Sequence, residues 1–121
     1  MPKYLLEVNY TLEGTKGLVA QGGTARKAAA TAAAESVGGT VDAFYFAFGG
    51  TDVFVVADLP DNSAAAALAL AVTASGGASA KTVVLLTPEE IDAAANATVS
   101  YTRPRADWLS GRPRSLNRTV S

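Results

Sequence analysis

Residues 41–58 leave this chain little choice of architecture. The segment Phe44-Tyr45-Phe46-Ala47-Phe48 and the segment Val53-Phe54-Val55-Val56-Ala57 are aromatic and β-branched, and Gly49-Gly50 stands between them. Glycine takes the positive φ of a tight hairpin turn without a Cβ penalty, so the stretch reads as two antiparallel strands. With Phe48 and Thr51 flanking the turn, Phe44, Phe46, Phe48, Val53 and Val55 share one face. Val41, Ala43, Tyr45, Ala47, Phe54 and Val56 share the other. Both faces are apolar, whereas a half-solvated strand alternates with polar residues. Burying a phenylalanine is worth roughly 1.5–3 kcal/mol, so three left wet would forgo about 5–9 kcal/mol, as much as a whole domain's stability. Each face therefore needs a cover. Helices of the same chain can supply one, and a second copy of the chain is the expected cover for the other.

The remaining segments fall in order around this hairpin. Residues 3–10 alternate, with Tyr4, Leu6, Val8 and Tyr10 on one face and Lys3, Leu5, Glu7 and Asn9 on the other, which predicts a first strand. Residues 11–21 read as a loop with a short helical turn. Thr24 is placed to cap a helix over 25–36, ended by Gly38-Gly39. That helix is mostly alanine, so close approach to a sheet is expected. After the hairpin, Asp61 or Asn62 caps a helix over 63–75 that is apolar nearly all round, a pattern of burial on more than one side. Gly76-Gly77 stops it. Residues 81–86 predict a fourth strand. Thr87-Pro88-Glu89-Glu90 is a capping box with proline at the first helical position, opening a short helix to about residue 96. The order is β-α-β-β-α-β plus a terminal helix: an α+β, ferredoxin-like split with a four-stranded antiparallel sheet and two main helices on one face.

Composition narrows the chemistry. The chain has no cysteine and no histidine among its 121 residues, which removes disulfides, thiol catalysis and the commonest general base and metal ligand. The absent cysteines, the lack of a signal-peptide pattern at the start and the lack of a membrane-length apolar run make a cytoplasmic, membrane-free protein the expectation. Charge is uneven: residues 1–101 are net −5, while residues 102–121 carry Arg103, Arg105, Arg112, Arg114 and Arg118 against Asp107. The domain is accordingly read as 1–101 and the basic, proline-broken tail as 102–121, with Trp108, Arg112 and Arg114 as candidate docking residues for a protein partner. Nucleic acid is an improbable partner for an acidic body without aromatic–basic interleaving.

Several of these residues together resemble a known family. The opening Met-Pro-Lys-Tyr-Leu, Tyr10-Thr11-Leu12-Glu13-Gly14, the run Phe44-Tyr45-Phe46-Ala47-Phe48-Gly49-Gly50-Thr51-Asp52 and Leu59-Pro60-Asp61-Asn62-Ser63 are similar to the GYD domain proteins over about residues 1–100. The Gly-Tyr-Asp signature of that family lies in the hairpin turn. Gly49 and Asp52 match it, and Thr51 stands at the tyrosine position. The resemblance implies a ferredoxin-like fold related to dimeric α/β barrel proteins and implies no established activity.

Candidate site residues each have a plainer structural reading beside the functional one. Asp52 is either a carboxylate at a pocket mouth or an acceptor for turn amides. Tyr10 and Tyr45 are either cavity phenols or core tyrosines with satisfied hydroxyls. Glu7, near Lys81, forms a polar cluster or a weak surface pair. Arg26 lies in the first turn of its helix, where a cation opposes the helix dipole, so a nearby anion would suit it. Phe44, Phe46, Phe48, Val53 and Val55 are the candidate oligomer interface. The glycine pairs match neither a P-loop nor a dinucleotide fingerprint, and the carboxylates are too spread and too useful as caps for a metal, so neither cofactor nor metal is called for. Three functions follow: a non-catalytic, oligomeric binder of a small molecule or partner; a cofactor-free isomerase or oxygenase using Tyr10, Tyr45, Asp52 and Glu7; and an assembly module using the tail.

Overall fold

The computed structural model describes residues 1–47, 49–102 and 119–120. Chain contacts divide it into two units, Met1–Leu86 and Thr87–Ser121. The first unit contains β1 (Lys3–Tyr10), α1 (Leu12–Gln21), α2 (Gly23–Ser36), β2 (Thr40–Phe46), β3 (Val53–Asp58), α3 (Asn62–Ala74) and β4 (Ala78–Leu85). Its sheet is antiparallel throughout, in the order β2-β3-β1-β4. This is the ferredoxin-like α+β arrangement the hairpin pattern demands.

Strand alternation decides what the helices cover. Tyr4 and Leu6 of β1 and Val53, Val55 and Ala57 of β3 are buried with Ala34 of α2, Leu59, and Ala65 and Leu68 of α3. Tyr4 buries its ring fully and still satisfies its hydroxyl, donating to Asn62 Oδ1 at 2.6 Å at the start of α3. The opposite face carries Leu5, Phe54, Val56 and Val83 beside Tyr45, and Tyr45 is 70% exposed. Within the first unit α3 buries one side only, because Leu70 remains 71% exposed.

The hairpin keeps the expected register. Phe46 opposes Val53 and Phe44 opposes Val55. The strands stop at Phe46 and Val53, however, and the Ala47 N–H donates to the Asp52 carbonyl at 2.9 Å. Phe48 lies outside the described residues. A register shift between Val41 and Ala43 moves Val41 to the face that carries Phe44, against the alternation expected for it. The bulged residue, Asp42, points its carboxylate to Lys3 Nζ at 3.1 Å, and Asp58 meets the same ammonium at 2.9 Å.

The region expected to be mostly loop is a ten-residue helix, α1. Gly14 and Gly17 argue against it locally, since an interior glycine costs about 1 kcal/mol relative to alanine. Packing overrides that cost. Thr11 caps α1 through its hydroxyl to Gly14 N, donates the same hydroxyl to Gly76 O at 2.8 Å, and donates its N–H to Gly77 O at 3.0 Å. Gly14 then crosses the turn before β4 so closely that any Cβ would run into the Gly77 carbonyl. Helix α2 starts at Gly23, earlier than expected, with Gly22 at φ 86° and no side-chain cap in place of Thr24. Strand β4 likewise starts at Ala78 and not at Lys81, because Tyr10 and Asn9 extend the ladder to Ala78 and Ser79.

The second unit contains α4 (Pro88–Asn96), opened by the expected capping box between Thr87 and Glu90. A short pair, β5 (Tyr101–Thr102) with β6 (Thr119–Val120), follows.

The Gly14 crossing is testable by urea unfolding. Gly14→Ala should lower stability by roughly 1–3 kcal/mol despite alanine's better helix propensity, because the methyl has nowhere to go. Gly50→Ala, where nothing lies within reach of a new Cβ, should stay within about 0.5 kcal/mol of the parent.

Candidate functional site

The helix-covered face of the sheet does not close completely. A cavity of about 330 Å3 lies between it and the helices. Its floor is Leu6, Val8, Val53, Val55 and Phe44. Alanines of α2 form much of the roof, with Leu68 and Val72 from α3. The expected close approach of the alanine helix to the sheet is therefore not reached along its whole length. Ala34 touches the core, but Ala29 and Ala30 are too short to meet the floor. Ala29 of α2 and Ala71 of α3 line the cavity and are exposed, which puts its mouth between those two helices.

Among the described lining residues only Tyr10, Arg26 and Ser75 bring polar side chains. Ser75 is committed, donating to Val72 O at 2.6 Å and accepting from Gly77 N at 3.2 Å. Arg26 lies over the Tyr10 ring, its Cζ 5.9 Å from the ring centroid, in a cation–π arrangement. Its guanidinium also fills the space beside Gly17 that a Cβ would occupy. Its Nε is buried and has no hydrogen-bond partner among the described residues. Burial raises the Tyr10 phenol above its ordinary 10.0; the Arg26 charge pulls it down and the Asp52 charge pushes it up. The phenol is thus a neutral hydrogen-bond donor at physiological pH.

The structure brings together two of the five ligand-site candidates at the cavity and separates the others. Tyr10 and Arg26 meet. Asp52 does not line the cavity: its Oδ2 accepts the Tyr10 N–H at 2.8 Å, its own N–H donates to Val8 O at 3.0 Å, and it thereby ties the hairpin connection to the end of β1. Glu7 and Tyr45 lie on the opposite face of the sheet, flanking Phe54 in register, so strand alternation keeps both out of the cavity. Glu7 opposes Lys81 there and accepts a long hydrogen bond, 3.5 Å, from the Thr51 hydroxyl. Of the interface candidates, Val53 and Val55 are 1% and 7% exposed beneath the helices and have no surface to offer a second copy, and Phe44, half-buried, floors the cavity. Phe46, on the same face, reaches the rim and lies against Gly23. Trp108, Arg112 and Arg114 lie outside the described residues. Among the described residues no group of three acidic side chains is placed to hold a metal.

Sequence reasoning missed Gly17 and the roof alanines. Gly14 and Gly17 are three apart, on one face of a helix, a spacing that signals close packing once the helix is recognised. The fold and cavity define an α+β ferredoxin-like domain with a single cationic side chain in an apolar pocket. The family profile described as GYD domain matches residues 4–95, and the chain belongs to the GYD domain family. Comparisons with curated proteins and with solved structures gave no match.

Two outcomes check this geometry. Asp52→Ala leaves the half-buried Tyr10 N–H without its acceptor and should cost about 1 kcal/mol and speed exchange of that amide, whereas Asp52→Asn, which keeps an oxygen, should recover most of the loss. Because the Tyr10 pKa is raised on folding, its contribution to stability is present below pH 10 and fades as pH climbs through the folded value. Tyr10→Phe should flatten that alkaline part of the stability profile in stepwise urea titrations.

Proposed function

We propose that the protein is a non-catalytic, homo-oligomeric binder of a small, largely apolar molecule. The cavity carries this reading. Its volume falls at the small end of ligand sites, roughly 300–1,000 Å3, and its lining has the required mix of apolar wall and a few polar groups. Binding is favoured over catalysis because the carboxylates proposed as bases are elsewhere: Asp52 is engaged by a backbone amide and Glu7 lies across the sheet. Tyr10 with a raised pKa is a poor base at neutral pH.

Self-association is proposed through the sheet face away from the helices. Leu5, Val56, Val83 and Tyr45 there make an apolar field. Charges of both signs border it, with Lys3 beside Asp42 and Asp58 at one end and Glu7 opposite Lys81 toward the other. A second copy of the chain offers the same field and can match those signs. This differs from the interface expected from sequence, which used the face carrying Val53 and Val55. A cytoplasmic setting is part of the proposal, supported by the lack of cysteine and by the finding that no described helix is long and apolar enough to cross a membrane.

Calorimetric titration with octanol tests the cavity. The parent should bind it, and Ala30→Leu, which fills the roof, should abolish binding while leaving the fold intact by circular dichroism; unaltered octanol affinity in Ala30→Leu would remove the reading. In sedimentation velocity the parent should travel as a dimer or larger, and Tyr45→Asp with Val83→Asp should yield single copies.

A further inference from the structure

Arg26 is the least explained group in the first unit. Arginine stays charged at any physiological pH, and a guanidinium among apolar groups is costly unless its donors are used. Here the Nε is buried without an acceptor among the described residues. The ion pairs among the described residues involve Lys3 and Lys16, none of them Arg26. The side chain also belongs to the first turn of α2, at the positive end of the helix dipole, and that turn has neither an acidic residue nor a side-chain cap. A cation so placed is unfavourable for an empty site, and an anion at the outer end of the guanidinium offsets that cost.

Building on the cavity reading above, we propose that Arg26 is the receptor for the head group of the ligand, and that the ligand class is an amphipathic monocarboxylate whose apolar body fills the cavity. The two terminal nitrogens of a guanidinium form a fork that a carboxylate accepts with both oxygens. The neighbouring Tyr10 hydroxyl, neutral at pH 7, can donate a third hydrogen bond. Gly17 gives the guanidinium its place beside the Tyr10 ring, since a side chain there would displace it. A phosphate monoester fits less well. It carries close to two charges and three acceptor oxygens, and the described lining offers one cation and, with Ser75 committed, one further donor.

The test is calorimetric titration of the full chain with three probes of one length: octanoate, octanol and octyl phosphate. The parent should bind octanoate more tightly than either other probe. Arg26→Gln should weaken octanoate by roughly tenfold or more and octanol far less, because it removes the charge and the fork but not the apolar wall. Arg26→Lys should recover only part of the loss. Gly17→Ala, which leaves every charge in place and shifts the guanidinium, should also erase the preference for octanoate over octanol. Equal affinities for octanoate and octanol, or an octanoate affinity indifferent to Arg26→Gln, would overturn the assignment of Arg26 while leaving the cavity reading intact. Tighter binding of octyl phosphate would overturn the carboxylate class. Failure of all three probes to bind the parent would overturn the cavity reading itself, and this proposal with it.

Discussion

The structure depends on a mismatch of bulk across one layer. The sheet presents Tyr4, Leu6, Phe44, Val53 and Val55 to its helices, and α2 answers with alanine. Interiors normally fill such a layer to crystal-like density. Here the two sides meet through Ala33, Ala34, Ala64, Ala65 and Leu68, and part of the layer stays open as the cavity. Everything of functional interest follows from that shortfall, including the single cation set into its wall.

Glycine contributes the other half of the construction. At Gly14 the backbone of α1 lies against the Gly77 carbonyl, which ties the helix across the start of β4. Three residues on, Gly17 leaves room for the Arg26 guanidinium. At Gly39 a Cβ would meet Leu59 Cδ2 at 2.6 Å, so the entry to β2 presses equally close on the core. The same residue type that weakens α1 as an isolated helix lets it pack where a stronger helix former would not. The Asp52 carboxylate then holds the end of β1 in place from the hairpin side, and with it Tyr10.

Much of the fold was legible because the hairpin spacing determines register: once Phe46 opposes Val53, the helix-covered face of β2 and β3 follows. Val41 escaped that logic because a bulge is a local event that alternation cannot anticipate. Helix α1 escaped because its stability is tertiary. The site was legible only in parts. Tyr10 and Arg26 each stood out singly, one as an aromatic at a strand end and the other as a misplaced cation, yet nothing in their spacing brings them together; the crossing of α2 over β1 does. Glu7 and Tyr45 show the converse, since period-two alternation already sets Glu7 against Tyr10 across the sheet. The cavity itself could be read only as small side chains, which equally describe a helix lying flat on a sheet.

The proposed ligand enters between α2, α3 and the sheet and not on the opposite sheet face. Nuclear Overhauser contacts between bound octanol and assigned methyl groups decide it directly. Contacts to Leu6, Val55 and Val72 are expected from the cavity lining; contacts confined to Leu5, Val56 and Val83 would place the ligand on the other face and overturn the proposal.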